Sequence, residues 1–285
     1  MATRSLRRFS FLSLAALCWI CLANYGCKET AKNGESVDLA TLPQGDLADS
    51  TFMTVFDFFT LEGSIDTTDL MKAFQAAFAD LPIWDSIPED IGQGGRLFAY
   101  FPDAQKDLPP GDVEFLSYAA ARLDLAQQQA LSKSRECVSL ALVGPRADRG
   151  QLKRRVCKFM ADDAQGKSLV IFDESCREYD SPMTWTERKL QNWTAEMPQI
   201  PFHIVQHAYR EEDGFCRIVS IGMEKFGLPN IVINNAVCSA QNQISSLINL
   251  MAQTMAENSN IQSPGALHLD IESLKDTLVR NQMRA

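Results

Sequence analysis

Two groups of side chains in the sequence have the chemistry for acid–base catalysis or cation binding. The first group follows an apolar run that ends at Phe172 and consists of Asp173, Glu174, Glu178 and Asp180. Carboxylates at a strand end lie where α/β proteins often bind ligands, and a pair of them can hold a cation or exchange protons. The second group is His268 with Asp270, which share one face if residues 267–271 form a strand. The alternative is that these are charged loop residues and structural or solvent-facing histidines.

The other two histidines, His203 and His207, are spaced by four residues. Two imidazoles at this spacing can share a metal ion on a helix, but on the predicted strand 202–210 they lie roughly 13 Å apart. The sequence also lacks the G-x-S-x-G and H-E-x-x-H signatures of hydrolases and metalloproteases. We therefore expect no metal site and no cofactor, and the sequence does not name a catalytic residue.

A basic segment interrupts the otherwise acidic chain. Within 13 residues it contains Arg146, Arg149, Lys153, Arg154, Arg155 and Lys158, opposed only by Asp148. Such a patch could bind an anionic headgroup, a polysaccharide or an acidic partner. The alternative is a solvated helix face opposite the apolar Leu152 and Val156. Nucleic acid is not expected, because the net charge is −9 and no aromatic residues alternate with the basic ones.

The N-terminal residues have the layout of a secretory signal peptide. Arg4, Arg7 and Arg8 precede an uncharged apolar run over residues 9–23, which is shorter than the roughly 20 residues needed to span a bilayer. Gly26-Cys27 resembles a bacterial lipobox, although Asn24 departs from that pattern. We expect residues 1–26 to be removed and Cys27 to be lipidated. Simple cleavage, an uncleaved anchor and an organellar transit peptide are the alternatives.

Residues 27–50 are polar and are predicted to be a flexible tether, because they contain Gly34, Pro43 and Gly45 and show no apolar periodicity. Without residues 1–26 the chain has 24 basic and 36 acidic residues, a net charge of −12. A charge of this sign is repelled by anionic lipid, so attachment to a membrane would be covalent. Residues 51–285 are predicted to form one domain, with a possible sub-division near 106–112.

Short β-rich runs alternate with amphipathic segments after Ser50, which predicts an α/β fold, with α+β as the alternative, and a mixed sheet covered by helices. The predicted strands are residues 52–59, 96–101, 137–143, 169–172 and 267–271. An antiparallel hairpin is predicted from residues 202–210 and 215–221, with an Asp-Gly turn between them. Helices are predicted around Leu70–Leu81 and Leu152–Met160, from Ser239 to about Glu257, and over 272–283, with Asp66 and Ser181 as N-caps.

Five cysteines lie in the predicted domain: Cys137, Cys157, Cys176, Cys216 and Cys238. Because this number is odd, at least one of them must remain free or pair between chains. Most lie in apolar runs, which is typical of small buried hydrophobic residues. A disulfide such as Cys216 with Cys238 is the alternative.

Residues 222–229, GMEKFGLP, precede another apolar run and resemble a segment of uncharacterised bacterial exported α/β proteins, a family of unknown function. The resemblance extends loosely over residues 135–256. It implies a mixed α/β fold and assigns no catalytic residue. Together with the export signal, it favours a cell-envelope module that binds a small ligand or an envelope protein. An envelope hydrolase or metal-dependent enzyme, and an interaction scaffold or immunity-type protein, are the alternatives.

Overall fold

The computed structural model describes residues 51–84, 96–100, 110–193, 195–211, 214–257, 271–275, 277 and 280–281. The predicted signal peptide, Cys27 and the tether lie outside the described residues. So do His268 and Asp270, most of the predicted strand 267–271, and residues 106–109 of the possible sub-division. Among the described residues, none of the helices combines the length and the hydrophobicity needed to cross a bilayer.

The first sheet has six strands in the order β2-β3-β4-β1-β5-β6. The two-residue β2 is parallel to β3, and all other neighbours are antiparallel, so the prediction of a mixed sheet is confirmed. Its strands are β1 (Thr51–Thr60), β2 (Ile83–Trp84), β3 (Arg96–Tyr100), β4 (Cys137–Pro145), β5 (Leu169–Asp173) and β6 (Glu178–Asp180).

Helices cover both faces of this sheet, as its continuous apolar strands require. On one face, α1 (Thr67–Ala77) and α4 (Arg149–Ala164) pack against alternate side chains of the central strands, including Phe56, Phe58 and Leu140. On the other face, α2 (Val113–Ala119) and α3 (Leu125–Leu131) pack against Phe59, Val170 and Phe172. The α/β architecture predicted from the sequence is therefore present.

Both predicted N-caps are confirmed. The Asp66 carboxylate accepts a hydrogen bond from the Asp69 N–H at 3.0 Å and begins α1. The Ser181 hydroxyl accepts one from the Thr184 N–H at 3.2 Å, and Pro182 occupies the first position of α5 (Pro182–Trp185). This short helix continues directly into a π-helical turn, Thr186–Leu190.

The second sheet is antiparallel and consists of β7 (Val205–Arg210), β8 (Phe215–Ile221) and β9 (Val232–Val237). The predicted hairpin is confirmed, but its first strand begins at Val205 instead of residue 202, because Ile200–Phe202 form a 3-10 turn. The last helix, α6 (Gln241–Glu257), packs its apolar side against this sheet. It starts two residues later than predicted, after the 3-10 turn Cys238–Ala240.

Two of the cysteines form a disulfide, and three are free and buried, so each of the two interpretations offered by the sequence holds for part of the set. Cys216 and Cys238 form a disulfide that joins β8 to the residue following β9. Cys137, Cys157 and Cys176 are buried free thiols, as expected for small hydrophobic residues. The C-terminal predictions are wrong at two points. Ile271 belongs to a 3-10 turn, Ile271–Ser273, and not to a strand, and for the same reason the helix predicted over 272–283 does not begin at Glu272.

The two sheets are in direct contact beside the start of β1. Gly227 follows the 3-10 turn Glu224–Phe226 and has a left-handed conformation, with φ of 66°. A Cβ atom there would lie 2.7 Å from the Thr51 carbonyl oxygen, so the close approach of the two backbones requires glycine. The same turn carries Lys225 into the interior of the protein, where it meets the end of β5.

Candidate functional site

Asp173, the last residue of β5, is the centre of a buried group of charged side chains. Its Oδ2 atom accepts hydrogen bonds from Lys225 and, at 3.4 Å, from the Nζ of Lys189. Its Oδ1 atom accepts the backbone N–H of Cys176 at 3.3 Å. Asp173 and both lysines are at most 1% exposed. We call these residues, together with Lys153 and Cys176, the lysine cluster.

Each lysine of the cluster comes from a different element. Lys153 lies on α4, Lys189 on the π-helical turn and Lys225 on the turn between β8 and β9. π-Helical turns are uncommon and often accompany functional sites. The cluster thus links three segments that are distant in the sequence, and it joins the first sheet to the second.

The charges of the cluster shift one another's pKa values. Burial alone would raise the pKa of Asp173, but the ammonium groups of Lys225, Lys189 and Lys153 outweigh burial and hold that pKa far below its usual value. Burial opposes the charged form of Lys225 as well, yet Asp173 raises its pKa above the usual value. Both groups therefore remain ionised over the physiological pH range.

Lys153 has a different electrostatic environment, because no carboxylate of the described residues contacts its ammonium group directly. Its Nζ donates to the Thr54 hydroxyl at 3.3 Å and lies 5.1 Å and 4.7 Å from the ring centroids of Phe56 and Phe226. Burial, followed by repulsion from Lys225, lowers the pKa of Lys153 to about 7. This amine is therefore close to half-protonated at neutral pH.

Cys176 is an inert thiol in this environment. It accepts a hydrogen bond from the Lys225 Nζ at 3.0 Å and donates to the His203 carbonyl oxygen at 3.1 Å. Burial, together with the charge of Asp173, raises the pKa of Cys176 to about 11, so the nucleophilic thiolate is scarce at neutral pH.

His203, whose carbonyl oxygen contacts Cys176, packs its imidazole between Trp193 and Phe226. Burial, followed by the charge of Lys189, keeps the pKa of His203 well below its usual value, so its imidazole is neutral at physiological pH.

Glu174 does not join Asp173, although the two are adjacent in the sequence. Glu174 contacts Asp57, a fully buried residue of β1 that also accepts a hydrogen bond from the Ser139 hydroxyl. Burial raises the pKa of both carboxyl groups, and the charge of Glu174 raises the pKa of Asp57 further. Asp57 was not predicted from the sequence. The one indication of a special role was that it is the only acidic residue in the aromatic strand β1.

Glu178 and Asp180, the remaining acidic candidates, pair with arginines. Arg188 makes two hydrogen bonds to Asp180, at 3.1 and 2.9 Å, and one to Glu178 at 3.1 Å. Arg122 also contacts both carboxylates. The four acidic candidates are thus distributed over three separate networks. In the part of the chain that is described, no group of three or more His, Cys, Asp or Glu residues could hold a metal ion.

The basic segment divides into buried and exposed members. Arg146, Arg149 and Lys153 are buried, and the guanidinium of Arg149 donates to the carbonyl oxygens of Arg146 and Ala256. These three residues therefore belong neither to a solvated helix face nor to an exposed anion-binding patch. Arg154, Arg155 and Lys158 remain at the surface of α4.

The three surface residues border a groove of about 380 Å³ beside α4. We call it the α4 groove, and its lining residues are Gly150, Gln151, Arg154, Arg155, Lys158, Ala195 and Glu196. At its floor, a Cβ on Gly150 would lie 2.6 Å from the Glu196 carbonyl oxygen, so glycine permits the close packing there. Arg155 is fixed by Asp80, with hydrogen bonds of 2.9 and 2.6 Å. Arg154 lies 5.9 Å from the centroid of the Trp193 ring.

No family model, curated protein or solved structure matches the chain. The resemblance of residues 135–256 to a family of unknown function therefore stays a prediction. The function has to be argued from the geometry of the described residues.

Proposed function

We propose that this protein is an exported cell-envelope module, lipid-anchored at Cys27, that binds an anionic ligand or an acidic partner in the α4 groove. The observation that carries this proposal is the contrast between the acidic candidates and the basic ones. Asp173, Glu178 and Asp180 are buried and matched by lysine or arginine side chains. Arg154, Arg155 and Lys158 border a concave surface that is open to solvent.

The arrangement of the groove favours a carboxylate or phosphate group. Arg154 has no ion-pair partner among the described residues, and its planar guanidinium can donate two parallel hydrogen bonds to an anion. Trp193 and Asp80 restrict the positions of Arg154 and Arg155, which reduces the entropy lost on binding. Glu196 on the same groove repels anions that extend toward it, so it limits how a ligand can be oriented.

A hydrolase is supported less well. One acidic pair predicted for it, Asp173 with Glu174, is divided between the two faces of the first sheet. The other pair, His268 with Asp270, lies outside the described residues. The lysine cluster has suitable chemistry, but its side chains are at most 1% exposed and offer no access to a substrate. We therefore favour binding through the α4 groove over catalysis.

The proposal is tested by titrating the full chain with heparin, used as a polyanion probe, in an isothermal calorimeter. Removing two charges from the groove with Arg154→Gln and Lys158→Gln should weaken binding about tenfold, because both side chains face the groove. A control variant, Lys72→Gln with Lys133→Gln, removes the same charge from exposed positions that do not line the groove and should change affinity less than about twofold.

Two results would contradict the proposal. One is an equal loss of affinity in the groove variant and the control variant, which would mean that heparin binding depends only on the net charge of the protein. The other is unchanged affinity when Arg154 and Lys158 are both replaced.

A further inference from the structure

The second sheet has one unprotected edge. Its order is β7-β8-β9, so β7 pairs with β8 on one side and with no strand on the other within the described residues. Ala208, Tyr209 and Arg210, the second half of β7, are all exposed. An exposed regular strand edge presents unpaired N–H and C=O groups that can pair with another strand.

The hydrogen bonds of the hairpin determine which groups face outward. The Glu211 N–H donates to the Phe215 carbonyl oxygen at 2.8 Å, and the β7–β8 register is continuous from Val205 to Arg210. Since backbone N–H groups alternate in direction along an antiparallel strand, those of Tyr209 and His207 also face β8. The N–H and C=O groups of Gln206, Ala208 and Arg210 consequently point away from the sheet.

The opposite edge of the sheet is not equivalent. β9 contains a bulge, marked by the register shift opposite Cys216 and Ile218 and by the positive φ of Asn235. A bulge twists an edge strand and disrupts the regular spacing that another strand would need. β7 is therefore the edge suited to strand addition.

An exposed apolar surface adjoins this edge. Phe215 and Val237 are directly opposite each other on β8 and β9, and they are 41% and 53% exposed. Tyr209 is 53% exposed and stacks on His207, on the same side of the sheet. Contiguous exposed apolar residues on a folded protein commonly mark an interaction surface.

We propose that β7 pairs with β7 of a second copy of this chain, antiparallel and about a two-fold axis at Ala208. The two sheets then form one six-stranded sheet with the order β9-β8-β7-β7-β8-β9. The small Ala208 faces its own equivalent at the axis, and Tyr209 of each copy faces His207 of the other. The exposed surface of Tyr209, Phe215 and Val237 becomes continuous across the axis.

The charges and hydrogen-bonding groups of β7 are compatible with this pairing. The single charged side chain of the strand, Arg210, is opposite Gln206 of the second copy, and the two Arg210 residues are roughly 14 Å apart. The amide of Gln206 is held on the α6 side of the sheet, where its Nε2 donates to the Ser245 carbonyl oxygen at 3.2 Å and to Asn249 Oδ1 at 2.7 Å. Pairing through the backbone of β7 leaves these contacts unchanged.

The contact is small, so the dimer should be transient. A six-residue strand pair with its flanking aromatic residues buries less than the roughly 1,200 Å² of a standard stable interface. A second copy is favoured over an unrelated strand because the two-fold pairing places the small Ala208 at the axis, sets the rings of Tyr209 and His207 opposite each other and keeps the two Arg210 charges apart. This inference does not depend on the α4 groove or its ligand.

Disulfide trapping in the full-length chain tests the register directly. With Ala208→Cys, the two Cα atoms at the axis lie roughly 5.5 Å apart, within the range of a disulfide. Mild oxidation should then give a covalent dimer on non-reducing gels, at least about fivefold above the background of the oxidised wild-type chain. Arg210→Cys should remain near background, since its equivalent atoms are about 14 Å apart.

Further variants keep the test decisive. Val113→Cys, at an exposed apolar position far from β7 in the sequence, measures random collision between chains. If Ala208→Cys has a lower melting temperature than the wild type, the double variant Gln206→Cys with Arg210→Cys replaces it. The two-fold axis places position 206 of one copy opposite position 210 of the other. The proposal is overturned if Arg210→Cys or Val113→Cys links as well as Ala208→Cys, if no variant links, or if the trapped product contains a different protein.

Discussion

Lys153 is a cation enclosed by two phenylalanine rings and by other lysines. Its side chain is fully buried, and among the described residues its Nζ donates to the Thr54 hydroxyl and lies near the rings of Phe56 and Phe226. Keeping the ammonium charged there costs free energy, which is why its pKa falls to about 7 from the usual 10.5. A lysine with a lowered pKa binds protons more weakly in the folded state, so its penalty is largest at low pH and disappears toward pH 10.5.

We expect Lys153→Met to stabilise the protein by about 2 kcal/mol at pH 6, because methionine fills the same space without a charge. The gain should shrink as the pH rises from about 7 toward 11, because the wild-type amine is neutral in both states only above its usual pKa of 10.5. Urea unfolding followed by tryptophan fluorescence at several pH values measures this. Lys72→Met, at a solvent-exposed position of α1, is the control and should show no such trend. A loss of stability at every pH would contradict the expectation.

The lysine cluster was only partly predictable from its residues. Asp173 and Lys153 are both named in the sequence analysis, but in different groups, and the meeting of Asp173 with its partners Lys189 and Lys225 depends on the tertiary fold. One local signal was available for Lys153, since it lies four residues after Arg149 and four before the buried Cys157, on the inner side of α4. The separation of Asp173 from Glu174 continues the alternation of β5, because Glu174 directly follows this strand and its N–H still donates to the Val55 carbonyl oxygen of β1 at 3.3 Å.

The disulfide between Cys216 and Cys238 holds β8 to the beginning of α6. It closes a segment with a sequence separation of 22 residues that includes β9 and its bulge. A bulged edge strand has fewer regular hydrogen bonds to hold it, so a covalent connection at its end restricts fraying. The disulfide is compatible with an oxidising compartment, which is where the N-terminal signal would direct the chain.

We expect Cys216→Ser with Cys238→Ser to reduce the free energy of unfolding by about 3 kcal/mol, the value for a loop of this length. Denaturant unfolding of the variant and of the wild type, with and without a reducing agent, measures the change. The reducing agent should destabilise the wild type and leave the variant unaffected. Equal stability of wild type and variant would be inconsistent with a disulfide at this position.

Regular elements were more predictable than their contacts. The central strands, the hairpin and the caps at Asp66 and Ser181 follow from alternation, periodicity and side-chain hydrogen bonding, all of which are local. The late start of β7 at Val205 and of α6 at Gln241 was missed because 3-10 turns have no strong sequence pattern. The α4 groove was missed because Trp193 and Asp80, which hold its arginines, are distant in the sequence.

As a whole, the protein is proposed to be a folded body connected to a membrane by its N-terminal segment. The strongest sequence signal for this is the apolar run of residues 9–23 followed by Gly26-Cys27. The body carries an excess of acidic residues, so its own surface offers little attraction to anionic lipid. Membrane association should therefore depend on the modification of Cys27.

We expect intact mass spectrometry of the membrane fraction to find a chain that begins at a diacylated Cys27. The variant Cys27→Ser should lose this modification, because serine has no thiol to accept the lipid. A mature chain without lipid, or an unprocessed chain in the wild type, would contradict lipid anchoring. Comparing the soluble and membrane fractions of both proteins separates these outcomes.

The position of β1 has a mechanical consequence for a tethered protein. β1 lies between β4 and β5, and its first residue, Thr51, is also its connection to the N-terminal segment. Hydrogen bonds in an antiparallel sheet are perpendicular to the strands, so tension applied through Thr51 along β1 loads all the bonds to both neighbours at once. Such loading resists force better than peeling a strand from an edge one bond at a time. The predicted tether would thus join the fold at a strand well placed to withstand shear.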